Sequence, residues 1–185
     1  DELAAAGGKD PVELRLKLLA DRPRHRKVVE VAAEKAGWGS ALPEGRARGI
    51  ATHDAFGSFA AEVAEVSIAG GEVKVHRVVC VLDCGQVINP DTVVAQVEGG
   101  IVYGLSAALY GQVRIAGGRA VESNFHDYRV LRLPMMPAIE TVLIDSDAPP
   151  GGAGEPSTPP IAPAVGNAVR ALRGTPVRRL PLAVT

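Results

Sequence analysis

Cysteine is almost absent from this 185-residue chain. Cys80 and Cys84 are the only two. Their spacing fits neither a zinc knuckle nor a thioredoxin-type pair, and a single pair builds no disulfide scaffold, so both read as small core residues. Histidine is equally sparse: His25, His53, His76 and His126 are scattered and form no evident metal-ligand cluster. Charge of one sign is lacking too. A net charge of −1 gives no bulk electrostatic argument for nucleic acid. Uninterrupted apolar runs fall far short of the ~20 residues that span a bilayer, so no membrane span is expected. There is no Ser/His/Asp set, no phosphate-cradling lysine motif and no dinucleotide fingerprint. Gly151-Gly152-Ala153-Gly154 precedes a helical pattern, but it lacks the Gly-x-Gly-x-x-Gly spacing and the later acidic residue. The chain opens Asp1-Glu2-Leu3-Ala4-Ala5-Ala6 without Met or a signal peptide, like the middle of a helix. It is therefore expected to be the C-terminal part of something larger, or a processed piece. If so, its address signal has been lost and its compartment is not legible.

What is present reads as globular: 46% hydrophobic and 22% charged residues, in a length suited to one domain or two small lobes. Asp10-Pro11-Val12-Glu13 is a helix start, with a cap and a proline at the first helical position. Trp38 is expected to pack the corner after a second helix that runs through Val28, Val31 and Ala32 to Gly37. The basic run Arg22–Lys27 reads as a solvated loop and helix entry. A polar connector ends near Arg48, and the division is placed between a helical segment, 1–44, and a second unit, 45–185. Gly49–His53 and Ser58–Ile68 are rich in small and β-branched residues; Gly70-Gly71 breaks the run, and Val73, Val75, Val79 and Val81 alternate beyond it. This predicts a hairpin whose second strand is buried on both sides. Glu62 and Glu65 on its first strand are an odd number apart, hence on opposite faces, and are rejected as a carboxylate dyad.

A helix follows from about Asp91, taken as its cap, with Val93, Val97, Ile101 and Leu105 at helical spacing. Gln96, Gly99, Gly100 and Tyr103 share another face. Two glycines within a helix cost about 1 kcal/mol each against alanine, so a close backbone or a close ligand should compensate. Short strands flank Gly117-Gly118, another covers Ile139–Leu143, and Pro176–Val184 reads as a terminal strand. The organising stretch is Gly151-Gly152-Ala153-Gly154-Glu155-Pro156, one carboxylate in a loop of glycines and prolines just upstream of a helix expected from Ala164 to Gly174. A carboxylate there is placed for a general base or a cofactor contact. Runs of adjacent strands predict an α+β fold with a mixed or antiparallel sheet and helices on one side.

The wording Gly152-x-Gly154-Glu155-Pro156-x-x-Pro159-Pro160-x-x-Pro163-Ala164, with Asp83-Cys84-Gly85, Asn89-Pro90, Gln96-x-Glu98-Gly99-Gly100 and Asn124-Phe125-x-x-Tyr128, resembles the molybdenum-binding subunits of the xanthine dehydrogenase and aldehyde oxidase family. Within that family, the proline-rich part is most similar to the beta subunits of the isoquinoline 1-oxidoreductase branch. The resemblance implies a molybdopterin-dependent oxidoreductase, a hydroxylase of aldehydes or N-heterocycles. In it, Glu155 is the base that deprotonates a molybdenum-bound hydroxide, and Gln96 hydrogen-bonds the molybdenum centre. Gly99, Gly152 and Gly154 lie against the cofactor. The implied cofactor is a molybdenum–pterin, in the molybdopterin cytosine dinucleotide form; the metal is held by the pterin dithiolene, so the chain supplies no metal ligand. The implied partners are the upstream part of the same subunit and a small subunit carrying iron–sulfur clusters. Arg132-Leu133 stand where the family more often has an acidic residue. The competing reading is a non-catalytic assembly or ligand-binding module on the same scaffold.

Overall fold

The structure is a computed structural model and describes residues 1–182. Three helices come first: α1 (Glu2–Ala6), α2 (Pro11–Leu18) and α3 (Pro23–Lys35). The expected cap of α2 is made by Asp10, whose Oδ1 accepts from Val12 N at 2.8 Å and Glu13 N at 3.1 Å. Its other oxygen accepts from Trp38 Nε1 at 2.9 Å, which fixes the corner. A four-stranded sheet follows, in the order β1 (Arg46–Ala55), β2 (Ser58–Ala69), β3 (Glu72–Asp83), β6 (Ala138–Leu143). The first three strands are antiparallel neighbours, and β6 joins β3 in parallel. Between β3 and β6 run α4 (Pro90–Tyr110) and an arm, 111–137, with a short hairpin of β4 (Ile115–Ala116) and β5 (Arg119–Ala120). The last helix is α5 (Thr158–Arg173).

The α+β class and the mixed sheet agree with the sequence reading, but helices cover both sheet faces instead of one. Ala60, Ala64, Val78, Cys80 and Leu82 pack under α4 and α5. Ile50, Ala61, Val63, Val79 and Val81 face α2 and α3. Strands apolar on both sides need two covers. The alternation in β3 is also not continuous. Glu65 pairs with Arg77 but Val66 pairs with Val75, leaving His76 as a bulge. The extra residue flips the parity, so Val73 and Val75 share the α4/α5 face with Val78 while Val79 and Val81 take the other.

Helix ends differ from expectation where proline and asparagine chemistry decides. The cap of α4 is Asn89, not Asp91: its side chain accepts from Thr92 N at 3.1 Å, and Pro90 takes the first helical position. Likewise α5 starts at Thr158, because Pro159 and Pro160 sit in a first turn whose N–H groups have no intrahelical partner anyway. Gly174 closes it with φ 73°. Residues 176–182 are not a strand; Leu182 N donates to Ala108 O instead, and the end of that expected strand lies outside the described residues. By length and composition α4 could cross a membrane, although Asp91 and Glu98 interrupt its apolar runs. Here one flank of it is packed on α5.

Candidate functional site

The loop carrying Glu155 joins β6 to α5 and is fastened along its length. Gln86 N donates to Ala148 O at 2.9 Å and Gly151 N to Cys84 O at 2.8 Å. The β1–β2 turn holds the next residue: Gly152 N donates to Phe56 O at 2.9 Å, and Ser58 Oγ donates to Gly152 O at 2.6 Å. Gly85, at φ 72°, lies so close below that a Cβ there would stand 2.2 Å from Pro149 O. The basic run takes part as well, against the solvated-loop reading. Arg24 Nε and Nη2 donate to Asp83 Oδ2 and Oδ1 at 2.9 and 2.6 Å, and Nη1 reaches Gly57 O at 3.4 Å. Asp83 also accepts from Gly85 N at 3.0 Å. Burial pushes the Asp83 carboxyl up, but Arg24 and the Gly85 N–H outweigh it and hold it below the usual aspartate range.

The start of α5 is set by the glycines of α4. A Cβ on Gly100 would come 2.2 Å from Ser157 Oγ, and one on Gly104 would come 2.7 Å from Thr158 O. Only glycine lets the helices approach so closely. Ser157 Oγ then donates to Val97 O at 3.1 Å. Gly100 is therefore explained by the Ser157 side chain, and Gly104 by the backbone at Thr158. Gly99 is not: a Cβ there would meet nothing within 4 Å.

That open side of α4 faces a cleft of ≈540 Å³. Gln96, Gly99 and Tyr103 come to it from α4, His53 and Phe56 from β1 and its turn, and Gly154, Glu155 and Thr158 from the loop and the start of α5. Gln96 Oε1 lies 3.7 Å from where a Gly154 Cβ would be. The fold thus brings Glu155, Gln96, Gly99 and Gly154 to one place. Gly152 does not line the cleft; it lies beneath Phe56, whose Cβ would be 2.7 Å from a Cβ built on the glycine. Of the other cleft residues, Tyr103 was already on the face of Gln96 and Gly99 by helical spacing. His53 and Phe56 have no such spacing to mark them. The available signal was Phe56-Gly57 between two β patterns, a two-residue hairpin connection. A second cleft of ≈430 Å³, between α5 and residues 176–182, is lined by Arg170, Arg178 and Arg179 and holds none of the predicted site residues.

Residues 17–137 match the family described as Molybdopterin cofactor-binding domain. The chain belongs to that family. This molybdopterin cofactor-binding domain is 38% identical over 187 residues to the beta subunit of isoquinoline 1-oxidoreductase from Brevundimonas diminuta, across 98% of the chain and 24% of that protein. It is 37% identical over 202 residues to a nicotinate dehydrogenase subunit of Pseudomonas putida, across 98% of the chain and 17% of that protein. Among solved structures it superimposes on quinoline 2-oxidoreductase from Pseudomonas putida 86 with a TM-score of 0.63 at 26% identity, over 68% of the chain and 17% of that one. The domain therefore spans a quarter or less of the length of these relatives.

The cleft suits such a cofactor by its chemistry. Its polar groups include a neutral amide, a carboxylate and backbone opened by glycine, and among the described residues no group of three His, Cys, Asp or Glu side chains could hold a bare ion. A metal that arrives in its own organic ligand needs walls and hydrogen bonds from the protein, and an amide gives donor and acceptor without charge.

Proposed function

We propose that this domain supplies the general base and part of the cofactor wall to a molybdenum hydroxylase that oxidises an aldehyde or an N-heterocycle with oxygen from water. The observation that carries this reading is the convergence of Glu155 and Gln96, from separate elements, on one glycine-walled cleft. When bound, a molybdenum–pterin, in the cytosine dinucleotide form, supplies two-electron redox chemistry and the oxygen to be transferred. Gln96 would hold it through the side-chain amide, and Gly99 and Gly154 would leave room for its approach. Glu155 takes up the proton that the oxygen nucleophile must lose, and a placed carboxylate in this role is worth roughly 10²–10⁴ in rate. The loop fastenings at Gly151, Gly152 and Ser157 fix the approach of that carboxylate.

Two relatives are named for N-heterocycles and as subunits of larger enzymes, which supports the substrate class and a multi-subunit assembly. In this reading electrons leave to iron–sulfur clusters on a small partner, and residues 1–44 connect the domain to the rest of the molybdenum subunit. The isolated chain is expected to hold no stoichiometric molybdenum after purification, as metal analysis would show. The reaction itself is tested by giving the assembled holoenzyme an aldehyde or N-heterocycle in ¹⁸O-labelled water. Label in the product is expected; an unlabelled product, or none, contradicts the assignment.

A further inference from the structure

One non-glycine residue among those described has a left-handed backbone, and it stands at the cleft. Phe56 has φ 57° and is followed by Gly57 at φ 78°, the two residues connecting β1 to β2. Asn, Asp or Gly normally fill such positions. A bulky side chain is strained there because its Cβ crowds the following carbonyl oxygen, and strain of this kind persists only where the surroundings over-determine it. They do so here. Phe56 O accepts from Gly152 N, Ser58 Oγ holds Gly152 O, and Arg24 reaches Gly57 O. The side chain lies across Gly152, where the missing Cβ leaves it room.

Burial does not offset this strain, since Phe56 is 65% exposed. It lines the cleft that holds Gln96 and Glu155, as does Tyr103, which is 72% exposed. A ring exposed on an unstrained loop needs no explanation. A ring held in view of a general base by a disfavoured backbone does.

We propose that Phe56 is a specificity-determining residue, whose ring is the flat wall against which a planar aromatic substrate lies in the Gln96–Glu155 cleft. This deepens the function proposed above and rests on it. Aromatic rings attract one another in offset or edge-on arrangements, so the wall both retains a flat heterocycle and limits how it can turn. A short aliphatic aldehyde has no face to offer and gains little from the ring. The strain fits the same account: an unstrained Asn or Gly would complete the turn but leave no wall.

The test uses Phe56→Asn and Phe56→Leu in the assembled holoenzyme. Asn accepts positive φ and lacks the ring; Leu keeps the apolar bulk without an aromatic face. The readouts are the Kd of isoquinoline for the reduced enzyme, KM and kcat for isoquinoline and for propanal, molybdenum content, and apparent Tm. In both variants Kd and KM for isoquinoline are expected to rise about 3–10-fold, with a clearly smaller loss in kcat/KM for propanal. Molybdenum content should hold, and the Asn variant should melt no lower than the parent. Unchanged isoquinoline binding, an equal loss on both substrates, or a parent enzyme that binds isoquinoline no better than propanal would overturn the proposal. So would a fall in Tm of the Asn variant, which means that the contact with Gly152 outweighs the strain, or loss of molybdenum, which means that the ring packs on the cofactor. Full turnover in Glu155→Gln, by contrast, would sink the parent reading while leaving the binding result to stand by itself.

Discussion

Arg24→Met should weaken the fold at the junction that carries the cleft. The substitution keeps most of the aliphatic stem and removes both hydrogen bonds to Asp83. Asp83 is 2% exposed and Arg24 33%, so the change strands a buried carboxylate that keeps the Gly85 N–H. Breaking a buried pair from one side costs about 3–5 kcal/mol. The arginine is partly in water, and screening lowers the expected loss to about 2–3 kcal/mol, or a Tm drop of roughly 5–10 °C for a domain of this size. The sign with pH follows from Asp83. Its folded-state pKa lies below the usual value of about 3.9. Its contribution is therefore present above that pH and lost as pH falls through the depressed value. In Arg24→Met the penalty falls on the charged form, so the variant and its parent should converge as pH drops below about 4. Urea unfolding of both proteins at pH 7.5 and pH 3 measures this. A deficit that is the same at both pH values, or below about 0.5 kcal/mol at pH 7.5, would show that the Arg24–Asp83 pair does not hold this junction.

Glu62 gives the opposite slope. It is wholly buried on the α5 side of the sheet, neither carboxylate oxygen has a well-formed hydrogen bond, and burial drives its carboxyl well above the usual range, with the Cys80 thiol opposing weakly. Such a group erodes stability as pH climbs above its ordinary value near 4.3. Glu62→Leu should therefore stabilise by about 1–3 kcal/mol at pH 8 and by less at pH 4 in denaturant titrations. A loss of stability at pH 8 would contradict this. Gly49 lies beneath the backbone of α5, where a Cβ would stand 2.2 Å from Ala164 O and 2.3 Å from Ala168 N. Gly49→Ala should cost about 1–3 kcal/mol or more as the helix lifts. Gly166, within α5 and free of such contacts, should gain about 0.5–1 kcal/mol on change to Ala. Thermal melts of the two variants should thus move in opposite directions.

Local periodicity made part of this molecule legible and left another part hidden. The β2–β3 hairpin and α4 were readable because alternation and helical spacing depend on neighbours in the chain. The bulge at His76 was not, because one unpaired residue changes face without changing composition. Burial of β3 on both faces is legible in its apolar run, but the second cover is not, because α2 and α3 carry many charges and their apolar positions make sense only against Ile50, Val63 and Val81. Arg24 looked like part of a solvated charge run because its partner, Asp83, lies 59 residues away. At the cleft, Glu155 and Gln96 stood out by their surroundings of glycine and proline. His53 and Phe56 reach the same place only through the register of β1 against β2 and the hydrogen bonds from Gly152, which no short motif records.

If the Glu155 carboxylate is the base, a single-turnover measurement on Glu155→Gln reads its loss. The holoenzyme is first shown to carry the parent's molybdenum content, then mixed with substrate in the absence of an electron acceptor. Reduction should slow by roughly 10²–10⁴ with substrate binding and Tm unchanged. Reduction at the parent's rate, in fully loaded enzyme, would contradict it.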